Sequence, residues 1–258
     1  MAGGEVDITG FTRKIIGVWK SGGALLYAGY IYLLLLVLGP MVWTAVVAAP
    51  GVEKADGAMR FFARLFLRLG RVPITVRGAA HLNPAAHFIV VSNHCSYADG
   101  PILAAALPIH TSYVAKAELT RNAVSRLFFT RLRTAFVERF DRHRGTTDAR
   151  KVIRLAQGGR SFIFFPEGTF YDIPGLQAFR MGAFLTAARA GVPVVPVAIR
   201  GSRSFLRGDT WFPRRAAIDV RVCAPILPEG NDREAAVRLR DAARADILKY
   251  CDEPDLEG

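Results

Sequence analysis

The chain has 258 residues and a formal net charge of +12, and 51% of its residues are hydrophobic. Its mean hydropathy of +0.22 is high for a freely soluble protein, so the composition favours an anionic partner, either a nucleic acid or a lipid surface. The three cysteines are odd in number and far apart, which argues against a disulfide framework or a paired-cysteine zinc site and predicts reduced thiols in a cytoplasmic environment.

The first element is an apolar run without a single charge, over residues 21–52. One continuous helix from about residue 24 to residue 46 would be long enough to cross a bilayer, which takes about 20 residues. A break at Gly39 and Pro40 would instead leave two arms of about 10 to 15 residues, and neither arm could cross. Basic residues flank the run on both sides, which places both of its ends in the cytoplasm and favours a re-entrant hairpin. The expected structure is an apolar helical hairpin that inserts into the membrane, with a single span as the alternative.

The next segment, residues 57–71, has the pattern of a basic amphipathic helix. Arg60, Arg64 and Arg68 recur every four residues, and apolar residues occupy another face. Such a helix lies in a lipid interface, although an ordinary surface helix packed on the domain has the same pattern. Beside the apolar run the interfacial location is favoured, so residues 1–71 are predicted to form a membrane-associating segment.

From residue 72 onward, short β-rich runs alternate with helical ones. The seven predicted strands fall at residues 72–78, 88–93, 112–117, 134–139, 161–168, 192–201 and 217–226. Several are apolar without alternation, which is typical of strands buried on both faces of an α/β sheet. Helical patterns lie at residues 148–159, 179–191 and 232–251, the last with Asn231 as its N-cap. The sequence therefore predicts a single α/β domain over residues 72–258, with a mixed, largely buried β-sheet flanked by helices and a frayed acidic tail at residues 252–258.

A histidine and an aspartate follow the second predicted strand in the stretch VVSNHCSYADG, residues 90–100. His94 leaves the end of the strand, and Asp99 precedes Gly100-Pro101, a natural first turn of a helix. At such a corner the two residues can fold back into contact, so that the carboxylate fixes the imidazole tautomer and leaves the other ring nitrogen to take a proton. The pair is a candidate general base with its orienting acid. A hydrogen-bonded histidine beside a helix cap would have the same spacing.

Two further strand ends carry polar groups. In FFPEGTF, residues 164–170, an apolar strand ends at Glu167 and Gly168, whose carboxylate and bare amide can bind hydroxyls or oxyanions, although a simple turn is the alternative. Arg139 ends another apolar strand, and arginine binds phosphate with bidentate geometry. In open α/β sheets ligands collect at this edge, so the three stretches together favour one binding site.

The residues favour neither a covalent intermediate nor a metal site. Cys95 and Ser96 adjoin His94 in an extended stretch, where neighbouring side chains point to opposite sides, and the sequence contains no G-x-S-x-G elbow. His94 and Asp99 make only two metal ligands, and no histidine or cysteine cluster completes them. Direct attack by a hydroxyl group of the substrate is therefore preferred.

These stretches resemble the motifs of the glycerolipid acyltransferase family, whose members acylate lysophosphatidic acid. The stretch from His94 to Asp99 matches the H-x-x-x-x-D motif of the family, and residues 165–169 match its F-P-E-G-T block. Residues 136–139 resemble the strand motif that ends in arginine, and residues 192–199 resemble the proline-containing fourth block. The order and spacing of the motifs fit over about residues 74–228.

The resemblance implies a reaction and a role for each matching residue. His94 would be the general base, and Asp99 would orient it. The residues implied to bind the acyl acceptor are Arg139, Glu167, Gly168 and Thr169, and those implied to shape the acyl-donor pocket are Val195 and Pro196. The expected enzyme transfers a fatty acyl group from acyl-CoA or acyl-carrier protein to 1-acyl-glycerol-3-phosphate and makes phosphatidic acid, without a metal or a cofactor. It is expected at the cell (inner) membrane, with its catalytic domain on the cytoplasmic side and a membrane lipid as its acceptor.

Two departures from the family pattern leave the acceptor open. Many lysophosphatidic acid enzymes continue F-P-E-G-T with Arg-Ser, where this chain has Phe170-Tyr171, and the glycine that usually opens the second motif is replaced by Arg133. Arg180 is expected to supply the missing phosphate contact. Another lysophospholipid or a lyso-ornithine lipid is an alternative acceptor, and a membrane-docked lipid-binding protein is the non-enzyme alternative. A nucleic-acid binder is disfavoured, since the chain has no recognition motif and few aromatic residues near its basic clusters.

Overall fold

The structure is a computed structural model, in which the described residues are 8–138, 142–169, 173–208, 210 and 212–256. These residues form eight α-helices and seven β-strands, with two short 3₁₀ turns at Ala79–His81 and Ala117–Thr120. The helices are α1 (Ile8–Ala48), α2 (Val52–Leu69), α3 (Asp99–Ala106), α4 (Ala123–Arg131), α5 (Arg142–Gln157), α6 (Gly182–Ala190), α7 (Ser202–Phe205) and α8 (Arg233–Cys251). The strands are β1 (Ile74–Arg77), β2 (Ile89–Ser92), β3 (Ser112–Lys116), β4 (Ala135–Val137), β5 (Phe162–Phe164), β6 (Val194–Arg200) and β7 (Ile218–Val222).

One sheet contains all seven strands, in the order β1-β7-β6-β2-β5-β3-β4. Neighbouring strands are parallel except β6 and β7, which are antiparallel. Each strand lies within a predicted one, so the prediction of a mixed sheet flanked by helices is confirmed. In the register of the central strand β2, Val91 pairs with Phe164 of β5 on one side and with Pro196 of β6 on the other. The carboxyl ends of β2 and β5 therefore meet at one edge of the sheet.

Helices cover both faces of this sheet, which explains why β2 is apolar along its length. Val90 belongs to the core on the side of α2 and α3, together with Leu67 and Ile102. Its neighbour Ile89 belongs to the core on the side of α5, α6 and α8, together with Phe184. Successive strand residues point to opposite faces, so both must be apolar when both faces are covered. Burial of each such side chain contributes about 1.5–3 kcal/mol.

At the N-terminus, α1 is one continuous helix of 41 residues that passes through Pro40. The predicted break at Gly39 and Pro40 is therefore wrong. Proline removes one backbone hydrogen bond, whereas the turns on either side keep theirs and the helix packs along α2. The hairpin turn lies instead at residues 49–51, and α2 returns antiparallel to α1, with Tyr27 Oη donating to Gly70 O over 2.9 Å. An N-terminal helical hairpin is thus present, and the part of its first arm over residues 21–48 carries no charge.

The stretch Gly22–Ala48 of α1 is long and apolar enough to cross a membrane, by length and composition, with a mean hydropathy of 2.3. One face of this stretch packs on the rest of the chain, where Trp43 Nε1 donates to Val124 O at 3.2 Å. The other face is exposed. Its large exposed side chains include Leu25, Leu26, Leu33, Leu36 and Val37.

The predicted amphipathic helix is α2, but two of its arginines contact the globular part of the chain. Arg64 Nε donates to Ala105 O at 2.9 Å, and Arg60 Nη1 donates to Ile109 O at 3.5 Å. Ala105 lies in the last turn of α3, where carbonyls lack helical partners and a positive charge is favourable. For these two residues the structure favours the alternative of a helix packed on the domain.

Three boundaries near the other end of the chain differ from the predicted ones. α5 begins at Arg142, before the predicted start at residue 148. The N-cap of α8 is Asp232 rather than Asn231, because the Asp232 carboxylate accepts from Ala235 N at 2.7 Å. Residues 252–256 pack against Leu176, so the prediction of a frayed tail is wrong for them, while residues 257 and 258 lie outside the described residues.

Candidate active site

The loop between β2 and α3 is tied to β6 by the buried side chain of Asn93. Its Nδ2 donates to Ile199 O at 2.8 Å, and its Oδ1 accepts from Ile199 N at 2.7 Å. This pair of bonds continues the ladder where β2 ends, so no buried backbone group of Ile199 is left without a partner. The loop therefore leaves the sheet from a fixed point, and His94 is its next residue.

Asp99 closes this loop and holds the histidine ring. It lies in the first turn of α3 and is 0% exposed. Its Oδ2 lies 2.8 Å from His94 Nδ1 and also accepts from Cys95 N at 2.7 Å and from Ser96 N at 2.8 Å. The contact predicted from the spacing of His94 and Asp99 is thus present, and the carboxylate is positioned by two backbone amides before it meets the ring.

The imidazole of His94 is also held from its face. It stacks on Phe165 with ring centroids 4.2 Å apart and an interplanar angle of 21°. The His94 side chain is 19% exposed, so the ring is accessible from one side only. Because a carboxylate can only accept, Asp99 selects the tautomer with the proton on Nδ1, and Nε2 is then the basic nitrogen.

Glu167 joins two loops beneath the histidine. Its Oε1 accepts from His94 N at 2.6 Å, and its Oε2 accepts from Gln177 N at 2.9 Å. Burial raises the pKa of the Glu167 carboxyl to about 7, although these two amide bonds lower it and the charges of Asp99 and Glu253 raise it further. With both oxygens engaged and 5% of the residue exposed, Glu167 supports the loops. Its predicted contact with the acceptor stays a prediction.

Gly168, Thr169 and Arg180 meet at the turn that follows β5. Gly168 has a φ of +83°, and the Arg180 side chain lies over it, so that a β-carbon at this position would be 2.9 Å from Arg180 Nε. Arg180 N donates to Pro166 O at 2.9 Å, which ties the arginine to the same turn. Thr169 is exposed beside it. The turn thus presents a guanidinium and a hydroxyl at the strand end next to His94.

Two of the remaining predicted site residues are not brought to this surface. Val195 and Pro196 lie buried inside β6, paired with Val90 and Val91 of β2. Their assignment to an acyl-donor pocket stays a prediction. Arg139 and the departure at Phe170-Tyr171 lie outside the described residues.

Comparison with known proteins identifies the family. Residues 73–200 match the acyltransferase family. The 1-acyl-sn-glycerol-3-phosphate acyltransferase alpha of Homo sapiens is 30% identical over 193 residues, which cover 72% of this chain and 66% of that protein. The lyso-ornithine lipid O-acyltransferase of Pseudomonas aeruginosa is 28% identical over 235 residues, which cover 82% of this chain and 88% of that protein. The chain belongs to the acyltransferase family.

The fold of this chain is similar to a solved one. The crystal structure of the 1-acyl-sn-glycerophosphate (LPA) acyltransferase PlsC from Thermotoga maritima matches it with a TM-score of 0.72, at 22% identity, over 89% of this chain and 96% of that chain. The chain spans 66% of the length of the human relative. The family predicted from the sequence motifs is therefore confirmed, and the predicted α/β fold is similar to that of the solved PlsC structure.

Sequence reasoning missed the roles of two residues in the histidine loop. Ser96, considered only as a nucleophile, donates from Oγ to Leu206 O at 2.7 Å and accepts from Ala98 N at 3.1 Å. A serine that accepts from the amide two residues later is a recognised turn former, and that signal was available. Burial raises the pKa of the Cys95 thiol, which keeps this neighbour of His94 protonated. Both residues therefore shape the loop.

An apolar cleft of about 320 Å³ opens between α1, α2 and α3 of the acyltransferase. It reaches Tyr97 and Ala98, within the loop that carries His94 and Asp99. Apolar side chains dominate its walls, among them Leu35, Leu38, Phe62, Phe66 and Pro101. A hydrocarbon chain in this cleft would end close to the histidine loop.

Proposed function

We propose that this acyltransferase transfers a fatty acyl group from acyl-CoA or acyl-carrier protein to the free hydroxyl of a lysolipid, with 1-acyl-glycerol-3-phosphate as the first candidate acceptor. The contact of 2.8 Å between His94 Nδ1 and the buried carboxylate of Asp99 carries the proposal. It supplies an oriented base at the edge of the sheet where ligands bind. A lipid-binding protein without catalysis would be favoured instead if the two side chains lay apart.

The proposed reaction has two steps, the formation of a tetrahedral intermediate and its breakdown. His94 Nε2 takes the proton from the acceptor hydroxyl while that oxygen attacks the thioester carbonyl. The tetrahedral intermediate collapses, the C–S bond breaks, and the thiolate receives the proton from the imidazolium. Asp99 stabilises the imidazolium in between. A positioned base of this kind contributes about 10²–10⁴-fold to the rate.

For the acceptor headgroup, we assign the phosphate to Arg180. Its guanidinium lies against Gly168 in the turn beside His94, and arginine matches phosphate oxygens with paired donors. Thr169 is exposed in the same turn and can donate a hydroxyl hydrogen bond. Arg139 is proposed as a further phosphate ligand on the sequence motif alone.

Membrane association is suggested by the exposed apolar face of α1, which we place in the lipid. Tyr27 and Trp43 contact α2 and α4 at positions about 24 Å apart along the helix. An upright span would carry these neighbouring elements into the hydrocarbon core, where polar groups are unfavourable, so insertion from one side is favoured over a span. The basic flanks of the apolar run place that side in the cytoplasm, at the cell (inner) membrane.

A lyso-ornithine lipid is the second candidate acceptor. The relative that carries this activity in its name is matched over 88% of its length, compared with 66% for the human glycerophosphate enzyme. A lysolipid of either kind presents a free hydroxyl near an acyl chain, so the proposed chemistry is the same for both.

An acceptor panel tests the proposal. Purified full-length protein in detergent is given palmitoyl-CoA or palmitoyl-carrier protein with 1-acyl-glycerol-3-phosphate, 1-acyl-glycerophosphocholine or a lyso-ornithine lipid, and thiol release and ester formation are followed. The expected result is fastest turnover with 1-acyl-glycerol-3-phosphate and none above background for His94→Ala. Fastest turnover with the lyso-ornithine lipid would make that lipid the acceptor in place of 1-acyl-glycerol-3-phosphate. No ester from any pair would overturn acyl transfer to these lipids.

A further inference from the structure

The end of the chain makes a second set of buried polar contacts near the same edge of the sheet. After α8 the chain turns at Asp252, whose φ is +61°, and runs back along residues 175–176. Leu176 N donates to Pro254 O at 2.8 Å, and Leu256 N donates to Leu176 O at 3.3 Å. The segment 252–256, called the tail below, therefore lies against the loop that follows the F-P-E-G-T motif.

The loop at Gly175 is shaped to accept the tail. Gly175 has a φ of +139°, and a β-carbon there would lie 2.4 Å from Leu256 Cδ1. Only glycine combines this backbone conformation with this approach. The loop and the tail thus fit each other through two residues that are far apart in the sequence.

Glu253 connects the tail to two other elements. Its Oε2 accepts from Gly175 N at 2.6 Å, and its Oε1 accepts from Arg203 Nε at 2.8 Å. The two charged side chains are mostly buried, with 10% of Glu253 and 17% of Arg203 exposed. Burial lowers the pKa of Arg203, but the hydrogen bond and charge of Glu253 outweigh it, so the guanidinium stays charged. Removal of either partner would leave the other charge buried and uncompensated.

Both connections lead to the histidine loop. Arg203 lies close to the side chain of Cys95, the residue after His94. On the other side, the loop that starts at Gly175 reaches Gln177, whose N donates to Glu167, and Glu167 in turn accepts from His94 N. Glu253 therefore supports His94 through two separate chains of contacts.

We propose that Glu253 is a positioning residue for acyl transfer. It touches no reacting atom; it holds Arg203, which lies beside the Cys95 side chain, and the 175–177 loop, which reaches the backbone at His94 through Glu167. The proposal rests on the proposed function, because the step that needs this geometry is the proton transfer at His94. A displacement of about 1 Å at a reacting group can lower a rate about 100-fold.

Steady-state kinetics of the full-length enzyme give the first test. Glu253→Ala is expected to lower kcat about 10- to 100-fold while both KM values stay within about twofold, since no substrate contact is removed. The kcat of Glu253→Gln is expected to lie between those of the wild type and Glu253→Ala, because its amide offers one acceptor oxygen where the carboxylate offers two. Asp252→Asn is the matched control: its carboxylate is exposed and pairs with Arg200 at the surface, so its kcat should not change. A wild-type kcat in a folded Glu253→Ala protein would overturn the proposal.

Cysteine alkylation separates positioning from general loosening. Iodoacetamide labelling followed by peptide mass spectrometry reports on Cys95 and Cys223, both of which are buried. In Glu253→Ala the labelling rate is expected to rise about tenfold or more at Cys95 and to stay unchanged at Cys223. An equal rise at both cysteines, or no rise at Cys95, would overturn the proposal. If the wild-type protein transfers no acyl group, the proposed function fails, whereas a selective rise at Cys95 still supports the role of Glu253 in holding the loop.

Discussion

Two edges of the same sheet carry charged groups, but they hold them differently. At the carboxyl ends of β2 and β5, His94 is held by Asp99 and Phe165, and Glu167 is held by two backbone amides. At the amino ends of the same strands, a wider cavity of about 890 Å³ has mostly basic walls, with Glu53 and Asp56 as its acidic residues and His110 Nδ1 2.7 Å from Asp56 Oδ2. Its basic residues are Lys54, His87, His110, Arg133, Arg154 and Arg160.

In the wider cavity the positive charges of Arg133 and Arg160 repel each other. Burial and the charge of Arg133 lower the pKa of Arg160. Cationic groups on an open wall attract an anion without orienting it, whereas a general base needs a fixed position and a fixed tautomer. The volume and charge of a cavity therefore do not identify the proposed catalytic edge of this sheet. The burial of the histidine–carboxylate pair does, since the His94 side chain is 19% exposed and the His110 side chain, which meets Asp56, is 64% exposed.

The difference between the two edges is tested most directly by replacing one histidine at each edge. His94→Ala should lower kcat about 1,000-fold, because the loss of a general base lies in the range of about 10²–10⁴. His87→Ala, an exposed histidine of the wider cavity, should keep kcat within about twofold. Turnover assays with thermal unfolding as the fold control measure both. Equal losses in the two variants would contradict the assignment of the edges.

Asp99→Asn should lower kcat by a smaller factor, about 10- to 100-fold. Asp99 uses only Oδ2 for its three contacts, and Oδ1 has no hydrogen-bond partner among the described residues. The amide oxygen can take the place of Oδ2 and preserve the tautomer, so only the charge that stabilises the imidazolium is lost. In serine proteases, the aspartate-to-asparagine variant of the catalytic triad also loses the correct histidine tautomer, and its kcat falls about 10⁴-fold. A loss that large here would show that the amide had turned its nitrogen toward the loop.

Glu167→Gln should change how stability depends on pH. The carboxyl has a pKa of about 7 in the folded protein and an ordinary value of 4.5, so the folded state keeps its proton while the unfolded chain loses its own. The free energy of unfolding should therefore fall by on the order of 3 kcal/mol as the pH rises from about 4.5 to about 7. The variant should lose this slope. Urea unfolding across that pH range measures it.

The control for that experiment is Glu229→Gln. The Glu229 side chain is 84% exposed, so its replacement should leave the slope of the wild type in place. If Glu167→Gln also kept the slope, the buried carboxyl would not be its source.

Gly168→Ala should act mainly on the acceptor. The added β-carbon would meet Arg180 Nε at 2.9 Å, and the φ of +83° is strained for alanine, so the guanidinium must move. An increase of about tenfold in the acceptor KM corresponds to about 1.4 kcal/mol of lost binding. Gly182→Ala, where a β-carbon meets nothing within 4 Å at the start of α6, is the matched control. An unchanged KM in Gly168→Ala would remove Arg180 from the headgroup site.

The smallest effect is expected from Arg133→Gly at the wider cavity. Arg133 has a φ of +53°, a conformation that favours glycine, which is the residue usual at this place in the family motif. Glycine there should raise the free energy of unfolding by up to about 1 kcal/mol and leave kcat unchanged. Arg154→Gly, within α5, should lower it by about 1 kcal/mol instead. Denaturant unfolding of both variants measures the two changes in the free energy of unfolding, which should have opposite signs. A destabilised Arg133→Gly would contradict the argument from the backbone conformation.

The parts of the fold that depend on nearby residues were predictable. All seven strands could be located from their β-rich patterns, and several are apolar throughout because a strand covered on both faces has no polar positions. The contact of His94 with Asp99 could be predicted because only one turn separates them. The helix through Pro40 could not, because its continuity depends on packing against α2, which the apolar run itself does not show.

The amino-acid sequence by itself determined the α/β class and the histidine–aspartate pair, because each follows from periodicity or from short spacings along the chain, and its motifs carried the resemblance to the family. Only the tertiary structure decided what holds that pair in place. Glu167 and His94 are 73 positions apart, and Gly175 and Glu253 are 78 positions apart. Contacts over such separations depend on which strand ends and which chain end share an edge of the sheet. That arrangement is a property of the folded chain as a whole, and no local pattern of residues carries it.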